Sequence, residues 1–233
     1  MISAIKKSLN NQYARDEFVE KHLAALPGGA VLLDAGCGSQ RYRSACSHLA
    51  YRGQDFGQYS TDARKTLVAD GVGGTEGYEY GKLDYVGNIW DIREEDATFD
   101  AILCTEVLEH IPYPNETIKE FGRLLKPSGT LILTAPSNCL RHMDPYFFYT
   151  GFSDRWYEEI LHQNGFDALI IEPVEDYYRW MAVEIARTMR SNSPLSWLLL
   201  APALLYFLAK KATQRSRDTL CMGYHVLAKK KVA

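Results

Sequence analysis

The chain has 233 residues, 46% hydrophobic and 24% charged, enough for a sizeable core and unlike disordered, collagenous or coiled-coil compositions. Twenty-six basic residues against 29 acidic ones leave a formal net charge of -3, so no global positive field gathers nucleic acid phosphates. The five cysteines (Cys37, Cys46, Cys104, Cys139 and Cys221) are odd in number and form no C-x-x-C pair, which excludes a disulfide framework and a zinc spacing.

A reducing cytoplasm is therefore the expected compartment, and MISAIKKSLNNQYARDEF lacks the apolar core of a secretory signal. Tyr13, Phe18, Val19, Leu23 and Leu26 recur at three-and-four spacings, which predicts an amphipathic helix stopped by Pro27-Gly28-Gly29, so residues 1–29 form an N-terminal helical segment. A short apolar run at 30–33 then enters Asp34-Ala35-Gly36-Cys37-Gly38 and reads as a buried strand. Further strands are predicted at 51–55, 83–88, 101–104, 130–134, 168–173 and 221–229, with helices at 118–125 and 154–164. Alternating strands and helices predict right-handed crossovers and a mostly parallel α/β sheet in a single domain spanning 1–233.

Two stretches break this rhythm. Residues 71–82, with five glycines and two tyrosines, read as a loop where a crossover helix is expected. Residues 177–217 read as a helical, partly apolar insertion before the last strand. Within it, Pro194 to Leu208 carry no charge, yet 15 residues fall short of the roughly 20 that a membrane span needs. A buried or dimer-forming helix pair, a lid, and an interfacial element at a lipid surface are the three fates open to 194–212. Trp197, Tyr206, Lys210, Lys211, Arg215 and Arg217 match the composition of the last.

A glycine turn at the end of a first strand lets backbone approach a ligand closely, since no Cβ intervenes, and a following helix start offers free N–H groups. Asp55, 21 residues after Asp34, falls where a carboxylate accepts from a ribose diol. A tight turn without ligand and a surface aspartate are the bland alternatives. Dinucleotide binding requires G-x-G-x-x-G, and Arg41 stands where the third glycine belongs.

Further on come Phe99-Asp100-Ala101-Ile102-Leu103-Cys104, Thr105-Glu106-Val107-Leu108-Glu109-His110 and Leu124-Leu125-Lys126-Pro127-Ser128-Gly129. With the D-x-G-C-G turn, these segments resemble the class I S-adenosylmethionine-dependent methyltransferases, in the branch that methylates small molecules, over 31–136. The resemblance implies a Rossmann-like, doubly wound sheet of about seven strands, mostly parallel with an antiparallel last strand. It implies S-adenosylmethionine as cofactor and S-adenosylhomocysteine as product. Asp34, Gly36, Cys37 and Gly38 would shape the bed for the methionine part, Asp55 would take the ribose hydroxyls, and Asn88 and Ile89 would read the adenine. Cys104, Thr105 and Glu106 would line the wall beneath the sulfonium. Gln40 replaces a family glycine, tolerated because Ser39 can serve a helix start. Asn88 replaces the usual aspartate, and its oxygen still accepts from the adenine amino group.

An alcohol hydroxyl hardly ionises near neutral pH, so its methylation benefits from a base. His142 is the candidate general base, with Asp144 orienting it, and His110 is a second candidate on the cofactor side. No spacing demands a metal, and none is expected. Tyr146, Phe147, Phe148 and Tyr149, with Tyr78 and Tyr80, offer aromatic surfaces to an acceptor, although Tyr149 and Phe152 also suit anchoring their own loop. The favoured reaction is O-methylation of a small-molecule acceptor such as a saccharide or glycan precursor. The alternatives are a quinone or lipid-linked acceptor at a membrane surface, and a cofactor-binding protein without turnover. The partners expected are a small-molecule acceptor, no nucleic acid, and peripheral membrane contact or a homodimer through 194–212.

Overall fold

The computed structural model describes residues 11–58, 80–191 and 194–232. The chain opens with helix α1 (Gln12–Ala24), whose inner face carries Phe18, Val19 and Leu23. Pro27 lies three residues past the helix, and β1 (Val31–Ala35) begins after the Gly28-Gly29 turn. The remaining strands are β2 (Ala50–Asp55), β3 (Tyr85–Val86), β4 (Phe99–Thr105), β5 (Leu125–Pro136), β6 (Phe166–Val174) and β7 (Gly223–Lys230). The other helices are α2 (Pro114–Leu124), α3 (Asp154–Gln163), α4 (Tyr177–Ser191), α5 (Pro194–Ala209) and α6 (Gln214–Thr219).

Seven strands lie in the order β3-β2-β1-β4-β5-β7-β6. Neighbours from β3 through β5 pair in parallel, and β7 runs antiparallel to both β5 and β6. The expected Rossmann-like sheet with its antiparallel last strand is present, and the helical insertion falls between β6 and β7. Successive strand residues point to opposite faces, so two cores form. On one face Leu32, Leu103 and Ile132 meet Phe18, Val19 and Leu23 of α1. On the other, Leu33, Ile102, Leu131 and Leu133 pack with Ile118 and Phe121 of α2 and Tyr157 and Leu161 of α3.

Several elements differ from the sequence expectation. The strand expected at 83–88 is reduced to two residues, because Gly87 turns the chain away at φ 149°. No helix start follows the glycine turn: tight turns lead into a short 3-10 segment, Arg43–Cys46, so Ser39 caps nothing helical. Strand β5 begins earlier than expected, at Leu125. Leu125 pairs with Phe99 and Thr130 with Ala101, so residues 126–129 loop out with Ser128 at φ 63°. The expected loop at 71–82 lies outside the described residues except for 80–82, which form no helix or strand.

Asp176 anchors the insertion. Its carboxylate accepts from the Arg179 N–H at the start of α4 (3.0 Å) and from the Ser216 hydroxyl of α6 (2.6 Å), and both Asp176 and Ser216 are buried. Two distant helix starts are thereby tied to one side chain at the end of β6.

Candidate active site

Strand order reverses between β1 and β4, and a cavity of about 440 Å³ opens beyond the carboxyl ends of these strands. Gly36 forms its closest corner at φ 72°, and a Cβ there would lie 2.5 Å from Val107 Cγ2. Only glycine satisfies both demands. The Gly36 and Cys37 N–H groups donate to the Gln54 carbonyl, each at 2.9 Å, and Gly36 also reaches Gln54 Oε1 at 3.1 Å. The turn is thus pinned to the end of β2.

Asp55 completes that pinning. Its two carboxylate oxygens accept from the Gly38 N–H (2.9 Å) and the Gly57 N–H (3.1 Å), and Tyr80 adds a side-chain hydrogen bond. Burial lifts its pKa above the ordinary carboxylate value, while the bonds from Gly57 and Gly38 oppose the lift. Asp55 lines the cavity with Gly36, Cys37, Gly38, Asn88, Ile89, Thr105, Glu106 and His110, all expected there. The Cys37 thiol, pushed up to about 12 by burial, stays protonated near neutral pH.

Other expected residues lie elsewhere. Asp34 sits beneath the turn, outside the cavity lining, where its carboxylate accepts from the Tyr51 hydroxyl at 2.6 Å and burial raises its pKa to about 7. Cys104 is fully buried in the core, because alternation along β4 turns it inward, and it too is absent from the lining. Gln40 keeps the backbone shape of the glycine it replaces, at φ 58°. Its amide donates to the Lys82 carbonyl (2.7 Å) and accepts from Arg43 (3.0 Å), which offsets the strain.

Glu106 also holds a left-handed backbone, φ 53°, with its N–H on the Thr134 carbonyl (2.9 Å) and its Oε1 accepting from the Thr134 hydroxyl (3.0 Å). Its other oxygen pairs with Arg15 of α1 at 2.9 Å. Arg15, Tyr42, Gln54, Phe56 and Trp90 line the cavity without having been expected there. A signal for Arg15 existed, since it lies three and four residues before Phe18 and Val19 and so shares their inner helix face.

The histidines meet at the cavity mouth. His110 Nδ1 lies 2.6 Å from the Tyr146 carbonyl and His142 Nδ1 lies 2.8 Å from the Leu140 carbonyl. A carbonyl only accepts, so both Nδ1 atoms carry protons, and in the neutral rings the lone pair resides on Nε2. The rings meet edge to face with centroids 4.7 Å apart. Burial holds the His110 pKa down at about 4, leaving it uncharged at neutral pH. His142 is absent from the lining to which its loop neighbours Met143 and Tyr146 belong. The Leu140 carbonyl, rather than Asp144, engages His142 Nδ1, and Asp144 accepts from Arg141 at 2.9 Å. Glu109 is buried, its Oε2 has no hydrogen-bond partner among the described residues, and burial beside Glu106 raises its pKa well above the ordinary value. Glu109, His110 and His142 each bring one ligand atom within 4.8 Å of the others, a set of the right chemistry for a divalent cation although none was expected.

A second, more open groove of about 790 Å³ adjoins the first at Pro112. Tyr149, Phe152 and Trp156 line one side, and Arg217 to Leu220 of the insertion line the other. Tyr149 stacks near Phe152 at 5.5 Å and donates to the Pro112 carbonyl, so it anchors its loop as well as walling the groove.

A family model described as a methyltransferase domain matches residues 9–182. The chain belongs to this methyltransferase family. The family's methyl donor, S-adenosylmethionine, fits the chemistry of the cradle, where glycine backbone at 36 and 38, the Asp55 carboxylate, the Asn88 amide and Ile89 line one cavity. A ubiquinone biosynthesis O-methyltransferase of Xanthomonas axonopodis pv. citri (strain 306) is 35% identical over 123 residues, 52% of this chain and 48% of that protein. One of Xylella fastidiosa (strain M23) is 33% identical over 129 residues, 54% of this chain and 49% of that protein. The match therefore spans about half the length of these curated relatives. A putative sarcosine dimethylglycine methyltransferase from Galdieria sulphuraria shares the fold, with TM-score 0.57, 16% identity, and coverage of 94% of this chain and 86% of that one.

Proposed function

We propose that this methyltransferase transfers a methyl group from S-adenosylmethionine to a hydroxyl of a small aromatic, quinone-type acceptor. One observation carries the reading: the aromatic groove joins the cofactor cavity at Pro112, beside the paired histidines. Tyr149, Phe152 and Trp156 offer ring faces to a flat acceptor, while Asn115, Glu116, Asp154 and Asp218 of the same groove offer partners to its hydroxyls. The names of the relatives favour the quinone alternative over the saccharide one.

Bound S-adenosylmethionine supplies an activated methyl on a sulfonium. Gly36, Gly38 and Asp55 would hold the donor, and the paired Arg15 and Glu106 line the same cavity. An acceptor that reaches the cavity mouth beside His110 would meet His142, whose ring lies 4.7 Å from that of His110, and His142 would take the hydroxyl proton at Nε2 because its Nδ1 is committed to Leu140. His110, with a pKa near 4, is too weak a base at neutral pH and instead orients the His142 ring edge-on.

Methyl-labelled S-adenosylmethionine offered with a short-chain catechol or demethylated quinol tests this, with a monosaccharide in parallel. Label is expected on the phenolic oxygen, and label on the sugar alone would overturn the acceptor class. His142→Ala should lower kcat by roughly two to four orders of magnitude while S-adenosylhomocysteine binding is kept. Full activity in that variant removes His142 from the mechanism.

A further inference from the structure

Helix α5 lies beyond the residues that the family model matches, and nothing in the methyl-transfer chemistry uses it. Its exposed positions include Leu195, Leu198, Leu199, Pro202, Leu205, Tyr206 and Ala209. Spaced by three and four, they form one continuous outward stripe, and every member is apolar. Leu198 is 74% exposed and Leu205 65%, so the helix turns to water the kind of surface that a soluble helix hides. The opposite side is already occupied, since Phe207 packs near Tyr177 and Tyr178 of α4.

The charges around the stripe say what covers it. Between Glu184 and Asp218 there is no acidic residue, whereas Arg187, Arg190, Lys210, Lys211, Arg215 and Arg217 all fall there, on a chain that is net negative. Lys210 and Lys211 follow the stripe immediately, and Lys210 Nζ sits 4.5 Å from the centroid of the Tyr206 ring at its end. Tyr206 near the end of the stripe places an amphipathic ring where headgroups meet acyl chains. No helix among the described residues is long and apolar enough to cross a membrane, so α5 can lie in an interface but not span it. A second copy packed with its helix parallel to this one would bring its own run of cations against these, which disfavours that pairing.

We propose that α5 docks this protein on anionic lipid bilayers, its leucine stripe sunk into the headgroup boundary and Lys210, Lys211 and Arg215 on the headgroup phosphates. The geometry of the fold makes this docking useful. Val174 and Pro136 both pair with Gly223, so the insertion leaves and rejoins the sheet at the carboxyl edge, where the cofactor cavity opens. Its α6 residues line the aromatic groove. A docked α5 therefore keeps the groove beside the lipid surface. The proposal does not depend on the reaction assigned above, since docking is read without turnover.

Flotation of the full chain with vesicles tests it, using phosphatidylcholine alone and phosphatidylcholine mixed with phosphatidylglycerol. Wild type should float with the mixed vesicles, less with the neutral ones, and less again in high salt. Leu198→Glu with Leu199→Glu should lower partitioning by roughly tenfold or more on both, with S-adenosylhomocysteine binding unchanged as a check on the fold. Lys210→Glu with Lys211→Glu should lower it by about tenfold or more on mixed vesicles only. A reading by emission is given by a tryptophan placed on the stripe, Leu198→Trp, whose emission mixed vesicles should shift to the blue; emission that vesicles leave unchanged counts against the docking. Absence of wild-type flotation, or flotation unaltered by the leucine substitutions, overturns the proposal. So does a dimer in sedimentation that the leucine substitutions dissolve while vesicles capture nothing.

Discussion

Arg15 Nη1 lies 2.9 Å from Glu106 Oε2, with side chains only 18% and 28% exposed, and so joins the N-terminal helix to the strained residue at the end of β4. The guanidinium also faces Glu109, a second carboxyl packed near Glu106. Removing Arg15 would leave Glu106 beside that group without a counter-charge. Arg15→Ala should cost about 1–3 kcal/mol of stability by denaturant unfolding and weaken S-adenosylhomocysteine binding in calorimetry. Combined with Glu106→Gln, the loss should be less than the sum of the two single losses, since the residues act as one unit. Additive losses would separate them.

Asp34 and Asp55 differ in kind despite their shared family motif. Asp34, buried with its pKa near 7, needs an oxygen to accept from Tyr51 more than it needs a charge. Asp34→Asn should therefore change stability by less than about 1 kcal/mol at pH 6, whereas Tyr51→Phe should cost about 1–3 kcal/mol by leaving a buried acceptor unmade. Asp55→Asn loses charge-assisted bonds that order the glycine turn. Its S-adenosylhomocysteine affinity should fall by about tenfold or more. Equal loss of affinity in the two asparagine variants would return Asp34 to the cofactor.

What was legible in the sequence follows from where the restraints are local. The β1 turn carries its own marks, because positive φ at Gly36 and Gly38 and the contact with Val107 leave few residue choices. Leu32 and Leu33 alternate between two cores, and Asn11 to Leu26 repeat at helical spacing, so those elements read directly. The loop after β5 is set by distant partners: Cys139 bonds Thr150, and Phe148 and Tyr149 bond the Glu109 carbonyl. Nothing in its own residues shows that His142 turns to Leu140 or that Asp144 meets Arg141. The role of Gln54 was hidden for the same reason, since its side chain bonds Gly87 across the strand pair. Inverse amphipathicity of α5 needed the structure, because its sequence is apolar all round and only packing on α4 reveals which stripe is left outward.

His225 on β7 stacks on Phe18 of α1 at 4.7 Å, and burial, with Arg15 nearby, holds its pKa at about 4 against an ordinary 6.5. The folded value is the lower one, so the unfolded chain takes up the proton first as pH falls. The stability contributed by the neutral ring is complete above pH 6.5 and is lost on acidification toward pH 4. Relative to His225→Phe, wild type should lose about 1.4 kcal/mol per pH unit across that window. Urea unfolding at pH 7, 6 and 5 measures it; a wild-type to variant difference that stays constant over this range would show that His225 is charged when folded.

Gly36 and Val107 close the cradle from opposite sides. An alanine at 36 would place its Cβ 2.5 Å from Val107 Cγ2 and 2.8 Å from Cγ1, at a φ of 72° that a Cβ disfavours. Gly36→Ala should cost about 2 kcal/mol or more from clash and strain together and abolish S-adenosylhomocysteine binding at concentrations that saturate wild type. Adding Val107→Ala removes the two contacting methyl groups, so stability should partly recover. The backbone part, about 1–2 kcal/mol, should persist because no neighbour can relieve it. Binding should recover less than stability, since the strained turn will still misplace the Gly38 N–H that meets Asp55. Full recovery of both in the double variant would mean that sterics alone, rather than the left-handed backbone, requires glycine at this corner.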